Sequence, residues 1–312
     1  MIAPVFLFPG QGSQDVGMAR EFYKNHDEAR TIFELASQQS GLDVAQLCFE
    51  GPMEALTETK NLQPCMTAAV LACFRVFEKS HPLPPSFYAG HSLGEYAALA
   101  AAAVISDADC LKLVTARGSL MQAEAEANPG AMAAVLKMDP DKLAEVVAQL
   151  AQEHTICLAN QNSPDQIVIS GSEAAIEALK APVAEGGGRY RKLVVSGAWH
   201  SPLMKGAEGA YNAIIDTVQF SDAKAPVLLN VTGAPETSGQ VIKEQMKKQM
   251  CSGVRWYQGI LHAWDQDART FVEFGPKPTL TKMLRTIVPT PEQVIYLVDG
   301  EEKLAKWVNR HT

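Results

Sequence analysis

The segment Gly90-His91-Ser92-Leu93-Gly94 places a serine between two glycines in the Gly-x-Ser-x-Gly spacing. Where this spacing joins a strand to a helix, the sharp turn exposes the serine hydroxyl and directs the next backbone N–H towards a reacting oxygen. The apolar run 87–89 precedes the segment and the Ala-rich run 93–103 follows it, so both neighbours fit this context. The pattern therefore predicts that Ser92 is a nucleophile.

A serine nucleophile needs a nearby base, because the hydroxyl is a weak nucleophile at its ordinary pKa. His91 is adjacent in sequence, and such a turn would point it away from the serine. His200 lies where residues 128–196 rejoin the rest of the chain, between two units where clefts form. From position alone, His200 and His262 compete for the role of the base.

Arg117 interrupts the otherwise apolar helical stretch 111–121. A guanidinium in such a place either extends its charge into solvent or binds a carboxylate through two parallel hydrogen bonds, a geometry that lysine cannot reproduce.

The glycine-rich loop Gly10-Gln11-Gly12 follows the first predicted strand. It lacks the third glycine of a dinucleotide-binding fingerprint, because that position is Asp15. A free N–H in this loop could instead supply half of an oxyanion hole.

Composition narrows the class of protein. The 312 residues carry a formal net charge of −8, which argues against nucleic acid as a partner because phosphates require a basic surface. The six cysteines form no Cys-x-x-Cys pair, and the histidines are not spaced as metal ligands, so we predict free thiols and no metal site. The apolar run 97–105 is shorter than the ~20 residues of a membrane span, and Met1 to Gly10 lacks the basic start of a signal peptide. We expect a cytoplasmic monomer.

Short β-like runs alternate with longer helical runs, as in a parallel sheet covered by helices. Between 128 and 196 the order becomes β-α-β-β-α-β, which is that of a ferredoxin-like unit, with strands predicted at 131–136, 155–159, 166–170 and 191–195. The sequence thus predicts an α/β protein: a large hydrolase-like parallel-sheet domain, 1–127 and 197–312, with a ferredoxin-like α+β subdomain, 128–196, inserted. Among its helices we predict 63–79, entered through Pro64 in the first turn.

The motifs together resemble the malonyl-CoA:acyl-carrier-protein transacylases of fatty-acid synthesis and the related acyltransferases of polyketide synthases. The matching segments run through nearly the whole chain in the order of that family. They are Phe8-Pro9-Gly10-Gln11-Gly12-Ser13-Gln14, Gln63-Pro64, Gly90-His91-Ser92-Leu93-Gly94-Glu95-Tyr96, Arg117-Gly118, Asn160-Gln161-Asn162-Ser163-Pro164, His200, Gln249 and Glu273-Phe274-Gly275-Pro276.

The resemblance implies that Ser92 is the nucleophile and His200 its base, with the backbone N–H groups of Gln11 and Leu93 as the oxyanion hole. It also implies that Arg117 binds the malonyl carboxylate. A main-chain carbonyl at or near Gln249, rather than an aspartate, would orient the histidine. The family likewise points to Gln63, Asn160 and Asn162 as substrate-binding positions, and to the small subdomain as one wall of the cleft.

Trp199, immediately before the base, departs from the related enzymes. Malonyl-selective polyketide acyltransferases usually carry Phe there, and many methylmalonyl-selective ones carry Ser. A bulkier indole leaves little room for an α-methyl group, so we expect malonyl to be preferred over methylmalonyl. Because one methyl group is worth only ~1–3 kcal/mol of discrimination, some leakage is expected.

The implied reaction loads a malonyl group from malonyl-CoA onto Ser92 and then transfers it to the phosphopantetheine thiol of an acyl carrier protein. A neutral histidine near its working pKa would serve both steps, and no bound cofactor is needed. Two alternative functions remain open. One is an acyl-thioester hydrolase of the same fold, and the other is a non-catalytic acyl-binding or assembly subunit. Because carrier proteins are acidic, docking needs a basic patch. The candidates are Arg189, Arg191 and Lys192, or Lys277, Lys282 and Arg285.

Overall fold

The computed structural model describes residues 3–311, apart from the side chain of His311. Met1 and Ile2, which entered the signal-peptide prediction, lie outside this range. The first third of the chain contains β1 (Val5–Phe8), α1 (Arg20–Asn25), α2 (Asp27–Ser40), α3 (Val44–Glu50), α4 (Met53–Thr57), α5 (Thr59–Ser80), β2 (Phe87–Gly90), α6 (Gly94–Ala101) and α7 (Asp107–Ala127).

The middle of the chain contains β3 (Ala131–Leu136), α8 (Pro140–Leu150), β4 (Ile156–Ser163), β5 (Gln166–Gly171), α9 (Glu173–Ala178), α10 (Lys180–Glu185) and β6 (Arg189–Lys192). The last third contains a short 3₁₀ helix (Pro202–Met204), α11 (Lys205–Asp216), β7 (Val227–Leu228), β8 (Pro235–Glu236), α12 (Gly239–Gln249), α13 (Trp256–Asp265), β9 (Thr270–Phe274), α14 (Leu280–Ile287), β10 (Val294–Val298) and α15 (Glu301–His311).

The larger sheet has six strands in the order β10-β9-β1-β2-β7-β8. Neighbouring strands are parallel except for the last pair, β7 and β8. The central strand β1 is buried along its whole length, as expected for a parallel strand covered by helices on both faces. On one face, Phe6 and Phe8 pack against the aromatic rings of Phe74 and Phe274. This rigid core positions the carboxyl ends of β1 and β2.

The smaller sheet is antiparallel, with the order β4-β5-β3-β6. With helices α8 to α10 between its strands, this is the ferredoxin-like arrangement, so the predicted fold class is confirmed. All four strands lie between 131 and 192, and the flanking bounds 128 and 196 of the subdomain stay a prediction.

Three predicted elements differ from the structure. Helix α5 begins at Thr59, so Pro64 lies inside the helix and not in its first turn. The additional turn packs closely on α7, where a Cβ on Gly118 would lie 2.8 Å from the Thr59 carbonyl oxygen. Strand β4 extends to Ser163, beyond the predicted end at 159, because it continues to pair with β5. Strand β6 was predicted at 191–195, but it pairs with β3 only over 189–192.

The six cysteines are free thiols, as predicted. Within 3–311 no group of three or more histidine, cysteine, aspartate or glutamate side chains has the spacing to hold a metal ion. Over the same range, none of the helices combines the length and the apolar character that crossing a membrane requires.

Candidate active site

Ser92 occupies the sharp turn between β2 and α6, so the predicted strand–turn–helix context is present. Its backbone has a φ of 52°, in the left-handed region that non-glycine residues seldom adopt. The flanking glycines permit the turn because no side chain fits there. A Cβ on Gly90 would lie 2.1 Å from the Gly94 carbonyl oxygen, and one on Gly94 would lie 1.9 Å from the Phe8 carbonyl oxygen. The elbow is therefore held by close contact between β1, β2 and α6.

Substitution of Gly94 by alanine is expected to destabilise the fold by more than about 3 kcal/mol, because the new methyl group meets fixed backbone. Gly209 in α11 is a matched control, since a Cβ there would meet nothing within 4 Å. Gly209→Ala should be neutral or stabilising by up to about 1 kcal/mol. Thermal melting followed by circular dichroism separates the two, and equal melting temperatures would contradict the tight elbow.

The side chains of Ser92 and His200 meet although they are 108 residues apart, with 2.6 Å between Oγ and Nε2. The other ring nitrogen, Nδ1, lies 3.1 Å from the Gln249 carbonyl oxygen and 3.0 Å from the Ser252 carbonyl oxygen. Because carbonyls only accept hydrogen bonds, Nδ1 carries the proton, and Nε2 is free to accept one from the serine. This is the geometry that a serine nucleophile and its base require.

The two other histidines considered do not reach the serine hydroxyl. His91 points to the small subdomain, where its Nε2 lies 2.7 Å from Asn162 Oδ1. His262 lies on α13 and packs edge-to-face on the Phe87 ring, with 6.1 Å between ring centroids. Of the candidates from sequence, only His200 is brought to the serine.

Burial and, next, the positive charge of Arg117 lower the pKa of His200 to about 3. The expectation of a histidine near its working pKa is therefore wrong for the protein without substrate. The sequence could not reveal this, because the shift depends on a fully enclosed ring next to a guanidinium from another helix. The imidazole is neutral at neutral pH, as a general base must be.

Arg117 is 2% exposed, so the alternative of a side chain extended into solvent is wrong. Its Nη1 donates to Gln63 Oε1 at 3.0 Å, and its Nη2 donates to Gln249 Oε1 at 3.1 Å. The same Nη2 lies 3.4 Å from Ser92 Oγ. These hydrogen-bond partners are all neutral, the buried Nε has no partner, and no carboxylate within 3–311 forms an ion pair with the guanidinium. A buried guanidinium whose hydrogen-bond partners are all neutral keeps its charge available to an anion, and the binding of a carboxylate by Arg117 stays a prediction.

The backbone N–H groups of Gln11 and Leu93 have no hydrogen-bond partner within 3–311, and both residues line the cavity at Ser92. Gly10 allows the first loop to approach the elbow, since a Cβ there would lie 2.5 Å from the His91 carbonyl oxygen. In contrast, the Ser92 N–H is already bonded to Asn230 Oδ1 at 2.7 Å. Two residues from different loops, each with an N–H that has no partner within 3–311, thus line the cavity at Ser92, and the oxyanion hole stays a prediction.

A cavity of about 120 Å³ opens above the serine. It is lined by Gln11, His91, Ser92, Leu93, Arg117, Met121, Met132, Asn160, Leu193, Val195, Trp199 and His200. Both domains contribute, because Met132 and Asn160 come from the smaller sheet. Its walls are partly apolar, and its polar groups converge on Ser92, which is typical of a ligand site.

The remaining predicted residues divide into two groups. Gln63 contacts Arg117 and Asn162 contacts His91, so both support lining residues without lining the cavity themselves. The docking candidates are all at the surface. Lys192 is paired with Glu173 and Lys277 with Asp15. Both basic patches stay predictions.

Asn230 and Ser252 received no role from the sequence, and Glu95 was noted only as part of the elbow motif. Asn230 holds the Ser92 N–H, and Ser252 supplies the second carbonyl for His200. Glu95 is buried below the elbow. No pattern of residue types marks these positions, because their roles depend on contacts with distant parts of the chain.

Ser92 lies on a strand–helix elbow, its hydroxyl contacts His200, and two backbone N–H groups without partners within 3–311 belong to residues that line the same cavity. Together these features define an enzyme class that works through an acyl-serine. The guanidinium of Arg117 adds a buried positive charge 3.4 Å from the serine hydroxyl. Residues 5–298 match the acyl transferase domain model, and the chain belongs to this family.

Two similar curated proteins are named malonyl CoA-acyl carrier protein transacylase. The one from Bacillus subtilis (strain 168) is 38% identical over 284 residues, which is 90% of this chain and 89% of that protein. The one from Staphylococcus aureus (strain MRSA252) is 38% identical over 292 residues, 92% of this chain and 93% of that protein.

Solved structures with malonyltransferase or malonyl-transacylase in their names are also similar to this chain. An acyl carrier protein S-malonyltransferase from Vibrio cholerae superposes with a TM-score of 0.93 at 34% identity, covering 97% of this chain and 99% of that one. The structure of a type II PKS acyl-carrier protein in complex with its malonyl-transacylase includes a chain that superposes with a TM-score of 0.94 at 32% identity. It covers 99% of this chain and 100% of that one.

Proposed function

We propose that the protein transfers a malonyl group from malonyl-CoA to the phosphopantetheine thiol of an acyl carrier protein, in fatty-acid or polyketide synthesis. The observation that carries the proposal is Arg117, a buried guanidinium 3.4 Å from Ser92 Oγ whose hydrogen-bond partners within 3–311 are all neutral. An acyl group bound to Ser92 would place its distal carboxylate near this cation. The names of the similar proteins support the same donor and acceptor.

In the first half-reaction, Ser92 Oγ attacks the thioester carbon and forms the new C–O bond, while its proton passes to His200 Nε2, 2.6 Å away. The N–H groups of Gln11 and Leu93 stabilise the oxyanion, and each such donor is worth roughly 3–4 kcal/mol in other acyl-transfer enzymes. The C–S bond then breaks, and His200 returns the proton to the sulfur of coenzyme A.

The second half-reaction reverses these roles. The carrier-protein thiol gives its proton to His200 and attacks the acyl-serine, and Ser92 Oγ regains the proton when the C–O bond breaks. The carbonyls of Gln249 and Ser252 keep Nδ1 protonated throughout, so Nε2 is the only nitrogen that exchanges protons. Every step uses side chains and main-chain N–H groups of this chain.

The lowered pKa of His200 predicts an unusual pH profile for loading from acetyl-CoA, which brings no carboxylate. A base is lost when pH falls below its folded pKa, and here that value is about 3. We expect the acetyl kcat/KM to show no falling limb between about pH 8 and about pH 5. Stopped-flow or quenched loading assays measure it. A limb near the ordinary histidine value of about 6.5 would contradict the electrostatics of the site.

An acyl-thioester hydrolase of the same fold would transfer the acyl group to water. The curated relatives do not favour it. The deciding experiment incubates the protein with malonyl-CoA and a carrier protein bearing its phosphopantetheine, then quantifies malonyl carrier protein and free malonate. Our proposal predicts that carrier-protein product predominates, whereas release of malonate alone would overturn it.

We also propose that Trp199 restricts the α-carbon of the acyl group. Its indole is 5% exposed and lines the cavity beside Ser92. Trp199→Ala is expected to raise the ratio of methylmalonyl to malonyl loading by about tenfold, because space opens for the methyl group. Trp264→Ala on α13, where the indole stacks on Arg269, is the control. An unchanged ratio in Trp199→Ala would assign selectivity to other wall residues.

A further inference from the structure

Glu95 is a buried carboxylate next to the proposed nucleophile that the reaction itself does not use. It is the second residue of α6 and is 1% exposed. It forms no ion pair within 3–311, yet both of its oxygens are engaged by neutral donors. Oε1 accepts from the Asn230 N–H at 2.9 Å, and Oε2 accepts from Gln249 Nε2 at 2.9 Å.

The Gln249 side chain connects this carboxylate to Arg117. Its Nε2 has two hydrogens, one donated to Glu95 and one to the Ser92 carbonyl oxygen at 2.8 Å. Its Oε1 accepts from Arg117 Nη2 at 3.1 Å. Both the NH₂ group and the oxygen of the Gln249 amide are therefore hydrogen-bonded. This orientation of the amide is favoured only while acceptors face Nε2 and a donor faces Oε1.

We propose that Glu95 is a positioning residue for the carboxylate receptor: it fixes the orientation of the Gln249 amide, and Gln249 holds Arg117 towards Ser92. The inference rests on the proposed function, because it assigns Arg117 to the acyl carboxylate. It extends that function by naming a residue that sets acyl selectivity without touching the acyl group.

Glu95→Gln shows how the effect would propagate. One amide cannot accept from both donors, because it offers one oxygen and one NH₂ group. The Asn230 N–H is fixed backbone and retains the oxygen, so the new NH₂ group faces Gln249 Nε2. Rotating the Gln249 amide relieves that conflict but turns its NH₂ group towards Arg117. The guanidinium then loses an acceptor and meets a donor, so it moves away from its position at Ser92.

A purely structural role makes a different prediction. Glu95 also supports Asn230, whose side chain holds the Ser92 N–H and the Gly90 carbonyl oxygen. Loss of that support would disturb the serine itself and slow malonyl and acetyl loading equally. Displacement of Arg117 reduces mainly malonyl loading. The ratio of malonyl to acetyl loading therefore separates the two roles.

The first experiment measures kcat/KM for loading from malonyl-CoA and from acetyl-CoA. In Glu95→Gln the malonyl-to-acetyl ratio is expected to fall at least about tenfold. Glu273→Gln is the matched control, since Glu273 is also fully buried and accepts backbone N–H groups from residues 279–281, away from Arg117. Its ratio should equal that of the wild type. An unchanged ratio in Glu95→Gln would overturn the proposal.

A double-mutant cycle tests the path through Gln249. Gln249→Met removes the side-chain amide but retains the main-chain carbonyl that accepts from His200. It should lower the ratio on its own, and adding Glu95→Gln should then change the ratio by less than about twofold. Additive effects would show that Glu95 acts on the site by another route, and would contradict the proposal.

The wild-type protein provides a test that needs no variant. Burial raises the pKa of Glu95 to about 7 against the opposing effects of its hydrogen bonds and Arg117. The groups facing it are Arg117 from α7, Gln249 from α12 and the Asn230 main chain. Its helix neighbour Tyr96, whose pKa burial raises to about 12, stays neutral.

Because the pKa of Glu95 is raised, the carboxylate is charged above about pH 7 and protonated below it. The malonyl-to-acetyl ratio should therefore fall as pH decreases from about 8 to about 6, and it should be independent of pH in Gln249→Met. A flat wild-type ratio would count against Glu95. Failure of the wild type to load malonyl at any pH would instead refute the proposed function.

Discussion

Replacement of His200 by alanine is expected to slow acyl loading by about 10⁴- to 10⁶-fold, equally for malonyl-CoA and acetyl-CoA. Among residues 3–311 the serine would lose the one base within hydrogen-bond distance, because His200 Nε2, 2.6 Å from Oγ, is the proposed proton acceptor in both half-reactions. Single-turnover loading followed by quenching and intact-mass detection measures the rate directly.

His262→Ala is the control for this experiment, because His262 is the alternative base by sequence position but packs on Phe87, away from the serine. Its loading rate should remain within about twofold of the wild type. A large loss of loading rate in His262→Ala together with a small loss in His200→Ala would show that His262 is the base, and would contradict the assignment of His200.

Arg117→Ala is expected to reduce malonyl loading by about 10²- to 10⁴-fold, because two charge-assisted hydrogen bonds to the carboxylate are lost at about 1.5–3 kcal/mol each. Acetyl loading should fall far less, since the acetyl group has no carboxylate to bind. Measured kcat/KM values for the two donors give the comparison.

Arg117→Lys refines the test. It retains a positive charge but not the planar fork, so it should recover only part of the malonyl rate. Equal losses with the two donors in Arg117→Ala would mean that the guanidinium supports the fold through Gln63 and Gln249 and does not receive the acyl group.

The elbow was predictable because it is local. Two glycines around Ser92, a buried strand before it and a small-residue helix after it are all visible within one short segment, and backbone clashes explain why those glycines are needed. The order of strands and helices along the ferredoxin-like subdomain was predictable for the same reason. The hydrophobic periodicity and the flanking turn residues of each segment indicate whether it is a strand or a helix.

The partners of the elbow were not predictable from local pattern. His200 is 108 residues from Ser92, so position alone left it equal to His262, and the resemblance to a family was needed to choose. Glu95 bonds to residues 135 and 154 positions away. Pro64 shows the converse, because tertiary packing on α7 overrides its usual place at a helix start.

The most direct test of an acyl-serine at Ser92 is brief exposure of the protein to malonyl-CoA, followed by intact-mass measurement and peptide mapping. We expect one malonyl adduct per chain, located on Ser92, absent from Ser92→Ala and removed when carrier protein bearing its phosphopantetheine is added. An adduct that persists in Ser92→Ala, or wild-type protein that remains unmodified, would contradict it.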